Sequence, residues 1–207
     1  MNRQQMLAVL VSLGMVGCGG SPSAPAMPGA VDRQDCGQFP PQSASPYILP
    51  YERGQALFAG RTIEHGDPQR YSIDWVAPMN TPVIAARSGR VMATESRWAD
   101  TDHTFGHENY VFVGHDDGTV ARYFHLATGG ALVSAGEQVT QGQQLGRSGN
   151  SGNSTAPHLH FDVVGAMCPN RWPDNFGSAC QRTMPITFRN TKAHPCGIQT
   201  NEVYEAR

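Results

Sequence analysis

Five side chains stand out for the chemistry they could do together. In Pro157-His158-Leu159-His160-Phe161 two imidazoles are spaced i, i+2. On a β-strand that spacing puts both on one face, with backbones about 6.5–7 Å apart, and turns Leu159 and Phe161 to the other face. A third histidine, His125, lies in Tyr123-Phe124-His125-Leu126, and His65 and Asp74 flank the turn-like Gly66-Asp67-Pro68. A hydrolytic zinc site needs three protein ligands and one open position for water. His65, Asp74 and His160 supply two imidazoles and a carboxylate, a donor set suited to Zn²⁺ rather than to Ca²⁺ or a cluster. His125 and His158 then remain as groups beside the metal. An isolated His-x-His is as readily a pair of hydrogen-bonded strand histidines; the company of the other residues points to a metal. The chain contains no Gly-x-Ser-x-Gly and no His-Glu-x-x-His. Metal-activated water is therefore the simplest hydrolytic chemistry available.

Such a cluster needs strands to bring it together. From about residue 46 to 165 the chain reads as short β-prone runs broken by turn signals: Tyr71–Val76, Thr81–Ala85, Gly89–Thr94, Tyr110–Gly114, Val120–Leu126 and Leu159–Val164. They are rich in Val, Tyr, Phe and Thr and too short for helices. Asp117-Gly118 between two of them signals a hairpin. No segment carries an amphipathic helical stripe beyond two turns, and no repeat has solenoid spacing. The spacing predicts one mostly β, antiparallel domain. Two Val-x-x-Gly turns between Val133 and Gly146 also occur in biotinyl and lipoyl carriers. A carrier needs a lysine at a hairpin tip, and the only lysine is Lys192, so that reading fails.

Taken in order, Ile73-Asp74-Trp75, Thr81-Pro82-Val83, Gly89-Arg90-Val91, His115-Asp116-Asp117-Gly118-Thr119, Tyr123-Phe124-His125-Leu126, Gly149-Asn150-Ser151-Gly152 and Pro157-His158-Leu159-His160-Phe161 resemble the M23 peptidases. These are the lysostaphin- and LytM-type zinc endopeptidases of bacterial cell walls, and the resemblance spans roughly residues 63–165. It implies a single antiparallel β-sheet or sandwich domain, duplicated-hybrid-motif-like, with the metal in a groove on one sheet. It also implies one Zn²⁺ per chain on His65, Asp74 and His160. His125 and His158 take the places of the two histidines that polarise water and stabilise the oxyanion. Many relatives place the first histidine four residues before the aspartate. Here that position is Arg70, which stays protonated and cannot ligate, so the longer-spaced His65 takes the role. Asn80 stands where glycine is usual, a residue that tolerates left-handed backbone. The implied function is hydrolysis of peptide bonds in peptidoglycan stems or cross-links. The alternative is an M23-like binding module without zinc that activates cell-wall amidases; such modules lack one or more ligand positions, which this chain retains.

The remaining sequence bears on location. Residues 1–17 (MNRQQMLAVLVSLGMVG) have one cation and an apolar run shorter than a membrane span, as in a signal peptide. Met15-Val16-Gly17-Cys18 resembles a bacterial lipobox, which implies a lipidated Cys18 and a membrane anchor. Residues 18–45 read as a Gly/Ser/Pro/Ala-rich tether, 46–190 as the peptidase-like domain and 191–207 as a C-terminal tail. Gly19 after the cysteine implies the outer membrane, facing the periplasm or the cell surface. Of five cysteines, Cys36, Cys168, Cys180 and Cys196 remain, an even number suited to an oxidising compartment. Cys36–Cys196 with Cys168–Cys180 is the pairing favoured among three. A net charge of −2 over 207 residues and a pI near 6.4 argue against a nucleic-acid partner. Among the other polar residues His115 reads as structural and His194 as incidental. Asp102, His103 and His107 fall in a loop that could rim a groove, and Tyr71 faces either groove or core.

Overall fold

The computed structural model describes residues 36–165 and 181–207. Its strands in chain order are β1 (Ala56–Arg61), β2 (Ile73–Val76), β3 (Pro82–Ile84), β4 (Gly89–Glu95), β5 (Tyr110–Gly114), β6 (Val120–Phe124), β7 (Leu126–Ala131), β8 (Gln138–Val139), β9 (Gln144–Ser148), β10 (His158–Val164) and β11 (Val203–Glu205). Eight form one sheet in the order β11-β1-β2-β10-β6-β5-β4-β8, and β3-β9-β7 form a second. Every pairing is antiparallel. The mostly β, antiparallel fold expected from the sequence is the one present.

Alternation along the central strands explains the layering. Ile73 and Trp75 on β2, Leu159 and Phe161 on β10 and Tyr123 on β6 point to the side packed against Val83, Leu126 and Leu145 of the second sheet. Trp75 is the anchor: Tyr51, Tyr204 and Phe188 meet it edge-on at centroid distances of 5.3, 5.9 and 6.1 Å. Such pairs add about 0.5–1.5 kcal/mol each beyond area burial. With Trp75 fixed, the intervening Asp74 must face the opposite side of the sheet. A smaller cluster of Phe112, Val120, Phe124 and Val164 fills part of that opposite side.

The run Val120–Leu126 is two strands rather than one. Phe124 ends β6 in the large sheet, Leu126 starts β7 in the small one, and His125 between them has φ +59°. Asn80 also takes the left-handed conformation, with φ +66°. Cys36 and Cys196 form a disulfide, and β11 pairs with β1 through Leu57 and Tyr204. Cys18, Cys168 and Cys180 lie outside the described residues, as do the signal and most of the tether.

Candidate metal centre and its groove

Strands β2 and β10 place His160 directly opposite Asp74, on the face away from the core. His160 Nδ1 lies 2.8 Å from Asp74 Oδ1. His65 arrives by another route: a single 3₁₀ turn, Ile63–His65, ends at Gly66 with φ +68° and swings the ring over the sheet. Its Nε2 is 3.2 Å from Asp74 Oδ1, and its ring centroid is 4.9 Å from that of His160. The turn and the residues after it thus take up the long spacing between His65 and Asp74, and Arg70 lines a different small cavity with Tyr71 and Phe39.

The three donors lie within 4.8 Å of one another. Ligand atoms around a tetrahedral zinc at 2.0–2.2 Å sit about 3.4 Å apart, so 2.8 and 3.2 Å approach the required edges. His65 Nε2 is buried and makes no hydrogen bond, despite its nearness to the carboxylate. A buried, unsatisfied imidazole nitrogen is costly unless something occupies its lone pair. The residues present therefore fit a divalent metal of the zinc type.

His125 and His158 stand beside these donors with ring centroids 4.5 Å apart. His125 Nδ1 is 2.7 Å from the Ser151 carbonyl and His158 Nδ1 is 2.8 Å from the Ala156 carbonyl. A carbonyl only accepts, so each ring carries its proton on Nδ1 and keeps the Nε2 lone pair free. His158 Nε2 is 3.6 Å from Asp74 Oδ1. Burial, with the neighbouring imidazoles adding to it, pushes the His125 pKa down to about 3. Burial also lowers His158 and His65. All three are neutral bases at neutral pH. Together with His160 they line a groove of about 230 Å³ whose walls include Arg61, Phe105, Glu108, Asn153 and Ser154.

One more carboxylate belongs to the site. Asp162 continues the His158, His160 alternation on β10, and its Oδ2 is 3.3 Å from His160 Nε2. Ser72 Oγ donates to the same oxygen at 3.2 Å, and Arg122, its cross-strand partner on β6, grips both carboxylate oxygens at 2.6 and 2.8 Å. Gln181 accepts from Arg122 on the far side. Burial opposes charge on His160, but hydrogen bonds to Asp162 and Asp74 and the attraction of both carboxylates override it and hold its pKa at about 9. Burial likewise opposes charge on Asp74, where the hydrogen bond from His160 and the electrostatic pull of the His160 and His65 rings prevail and keep it well below the usual carboxylate range. Sequence reading missed Asp162, although the same i, i+2 rule that paired the histidines extends to it.

The loops hold the groove rather than act in it. Glu108 accepts from the backbone of Gly106 and Asn153 at 3.0 and 3.1 Å, tying the 98–108 loop to the 149–155 loop. Gly152, at φ +74°, packs where a Cβ would fall 2.4 Å from Glu108 Cγ, so glycine is required there. Asn109 donates to the carbonyls of Trp98, Leu126 and Ala127, bracing the bend at His125. Of the loop candidates, Asp102 pairs with His107 at 2.8 Å, His107 stacks on Trp98 and His103 is exposed; none lines the groove, where Phe105 and Glu108 stand instead. His115 bonds the Ser88 carbonyl, a structural part. His194 is no bystander: its Nδ1 donates to the Lys192 carbonyl and its Nε2 accepts from the Phe188 N–H. Tyr71 belongs to the separate cavity under Phe39.

Residues 68–169 match the model of Peptidase family M23. That span includes Asp74, His125, His158 and His160 and begins after His65. The peptidoglycan DD-endopeptidase ShyA of Vibrio cholerae is 36% identical over 91 residues, which are 44% of this chain and 19% of that protein. Lysostaphin of Staphylococcus simulans is also 36% identical over 91 residues, 44% of this chain and 17% of that protein. The chain thus matches about a fifth of the length of these curated relatives. The solved structure of pseudoalterin, an M23 metalloprotease from the deep sea, superposes with a TM-score of 0.50 at 20% identity, over 79% of this chain and 99% of that one, and shares the fold.

Proposed function

We propose, for a chain whose residues 68–169 form a domain of peptidase family M23, that it is a zinc-dependent endopeptidase cutting peptide bonds in peptidoglycan stems or cross-links. The observation that carries this reading is the convergence of His65, Asp74 and His160 within 4.8 Å, with two further imidazoles facing the same groove. A zinc ion on His65 Nε2, Asp74 Oδ1 and His160 Nδ1 would supply Lewis-acid activation of water and of the scissile carbonyl.

The chain's own residues supply the proton chemistry. His158 and His125 both enter the reaction neutral, with Nε2 free and Nδ1 fixed by a backbone carbonyl. One Nε2 takes the proton of the attacking water and later delivers it to the leaving amine. While it holds that proton the same ring can donate to the developing oxyanion, and the other ring, 4.5 Å away, keeps a free Nε2 acceptor that orients the attacking water. Asp162 and Arg122 hold the His160 ring so that Nδ1 faces the cage.

Purified protein should hold about one zinc per chain, and His65→Ala and His160→Ala should lose it. His158→Ala should keep the metal while muropeptide cleavage falls by about 10²–10⁴-fold, the usual contribution of a positioned acid–base group. Zinc-free protein that stimulates a cell-wall amidase would overturn the hydrolase reading in favour of an activating module.

We extend the proposal to location: export, diacylation of Cys18 and an outer-membrane anchor, which would hold the domain beside its polymer at raised effective concentration. Labelled palmitate should enter the wild-type chain and not Cys18→Ser.

A further inference from the structure

The open face of the large sheet carries two adjacent cross-strand rows. One runs Arg61, Asp74, His160, Phe124, through the metal cage. The next runs Val203, Phe58, Val76, His158, from the sheet edge to a proposed proton carrier. The three apolar members of that second row are 53%, 37% and 47% exposed. Neighbouring strands are about 4.8 Å apart, so the row reaches about 14 Å from His158, the span of about four residues of extended peptide. The β1 register slips between Ala59 and Arg61, and Gly60 sits at the slip, where a Cβ would lie 3.0 Å from Val76 Cγ2. Glycine there keeps a side chain from crowding Val76 between the apolar row and Arg61. Arg61 is exposed, lines the groove and gives one N–H to the Glu64 carbonyl at 3.0 Å. It has no carboxylate partner among the described residues.

Resting on the endopeptidase reading, we propose that Phe58, Val76 and Arg61 form a substrate subsite for a peptide segment that carries short alkyl side chains and a free carboxylate beside the scissile bond. The apolar row takes the alkyl groups, and the Arg61 guanidinium pairs with the carboxylate. The row starts at His158, so a peptide lying on it passes straight into the groove, which is what selects substrate as its occupant. A polyglycine bridge offers neither feature and would leave the subsite unused. An alanine-containing stem with the free α-carboxylate of a diamino acid offers both.

The test uses the zinc-loaded full chain and three synthetic peptides: an alanine–diamino acid cross-link with a free carboxylate, its carboxamide, and C-terminally amidated pentaglycine. The carboxylate peptide should be preferred over each of the others by about tenfold or more in kcat/KM, the value of one well-placed contact. Phe58→Ala and Val76→Ala should raise KM about tenfold with little change in kcat, and Phe58→Leu should restore it. Arg61→Gln should remove the preference for carboxylate over carboxamide by lowering cleavage of the carboxylate peptide more than that of the carboxamide. Binding of the same peptides to the metal-free protein should follow the same order. If no peptide is cut but binding keeps that order, the hydrolase reading fails and the subsite stands. Pentaglycine bound or cut as well as the carboxylate peptide overturns the subsite. So do variants that bind like wild type, or a Phe58→Ala change that alters only self-association in sedimentation.

Discussion

Zinc uptake by the metal-free protein should be governed by a single proton on His160. Both ring nitrogens face carboxylate oxygens, Asp74 Oδ1 at 2.8 Å and Asp162 Oδ2 at 3.3 Å. Carboxylates only accept, so both nitrogens carry hydrogen and the ring is an imidazolium with its pKa at about 9, burial notwithstanding. A metal needs the Nδ1 lone pair, so that proton must leave. Asp74 is already ionised and His65 already neutral at pH 7, and neither releases one. Two pH units below 9, only about 1% of the ring is deprotonated, which weakens apparent affinity about a hundredfold, or about 2.7 kcal/mol. Log affinity should therefore rise by about one for each pH unit between about 6.5 and 8.5 and flatten near 9. Competition against a chromophoric chelator, corrected for the chelator's own protonation, measures the slope. Calorimetry in buffers of different ionisation enthalpy counts the proton directly. A flat profile from pH 7 to 8.5, with no proton released, would refute the imidazolium and with it the assigned role of Asp162.

The same groups set the pH dependence of metal-free stability. His160 is raised in the fold, so its contribution is complete below about 6.5 and is lost as pH climbs through 9, by up to about 3 kcal/mol. His125, His158, His65, His115 and His194 are lowered by burial, so stability also falls as pH drops below about 6.5. Urea midpoints of the metal-free protein should peak between about pH 6.5 and 7, and a monotonic rise to pH 9 would contradict this. Asp162→Asn removes a buried negative charge that Arg122 and His160 both contact, which should cost about 3–5 kcal/mol, and should loosen zinc about 10–100-fold by freeing the His160 ring; unchanged zinc affinity in a folded variant would remove Asp162 from the site. Reducing Cys36–Cys196 opens a link between positions 160 apart; loop-closure entropy puts its contribution at about 5 kcal/mol at most, to be read as a denaturation midpoint that should fall with reductant.

Strand alternation made the centre of the fold legible. Trp75 and Leu159 are apolar because they face the core, so Asp74 and His160 had to face away from it, and register did the rest. The edges were not legible in this way. Strand β1, Ala-Leu-Phe-Ala-Gly-Arg, and β9, Gln-Leu-Gly-Arg-Ser, are weak β-formers that pair because their neighbours supply the partners. The break at His125 was hidden because the flanking Phe124 and Leu126 are both buried, each in a different sheet. Local sequence records burial, not which layer supplies it. Residue type and the family resemblance point to His65 as a ligand, but not its spacing; what carries it to Asp74 is the 3₁₀ turn that closes on Gly66, a piece of backbone geometry with no periodic signature.

Asp74 and His160 are 86 positions apart and meet only through the pairing of β2 with β10. The cage therefore has no local precursor: a chain stopped short of residue 158 holds an aspartate with no imidazole across from it. Contacts so distant in sequence form late, because closing the long loop precedes any gain from it. The proposed cutting power would thus be timed by completion of the fold, and a half-made chain would hold no finished cage.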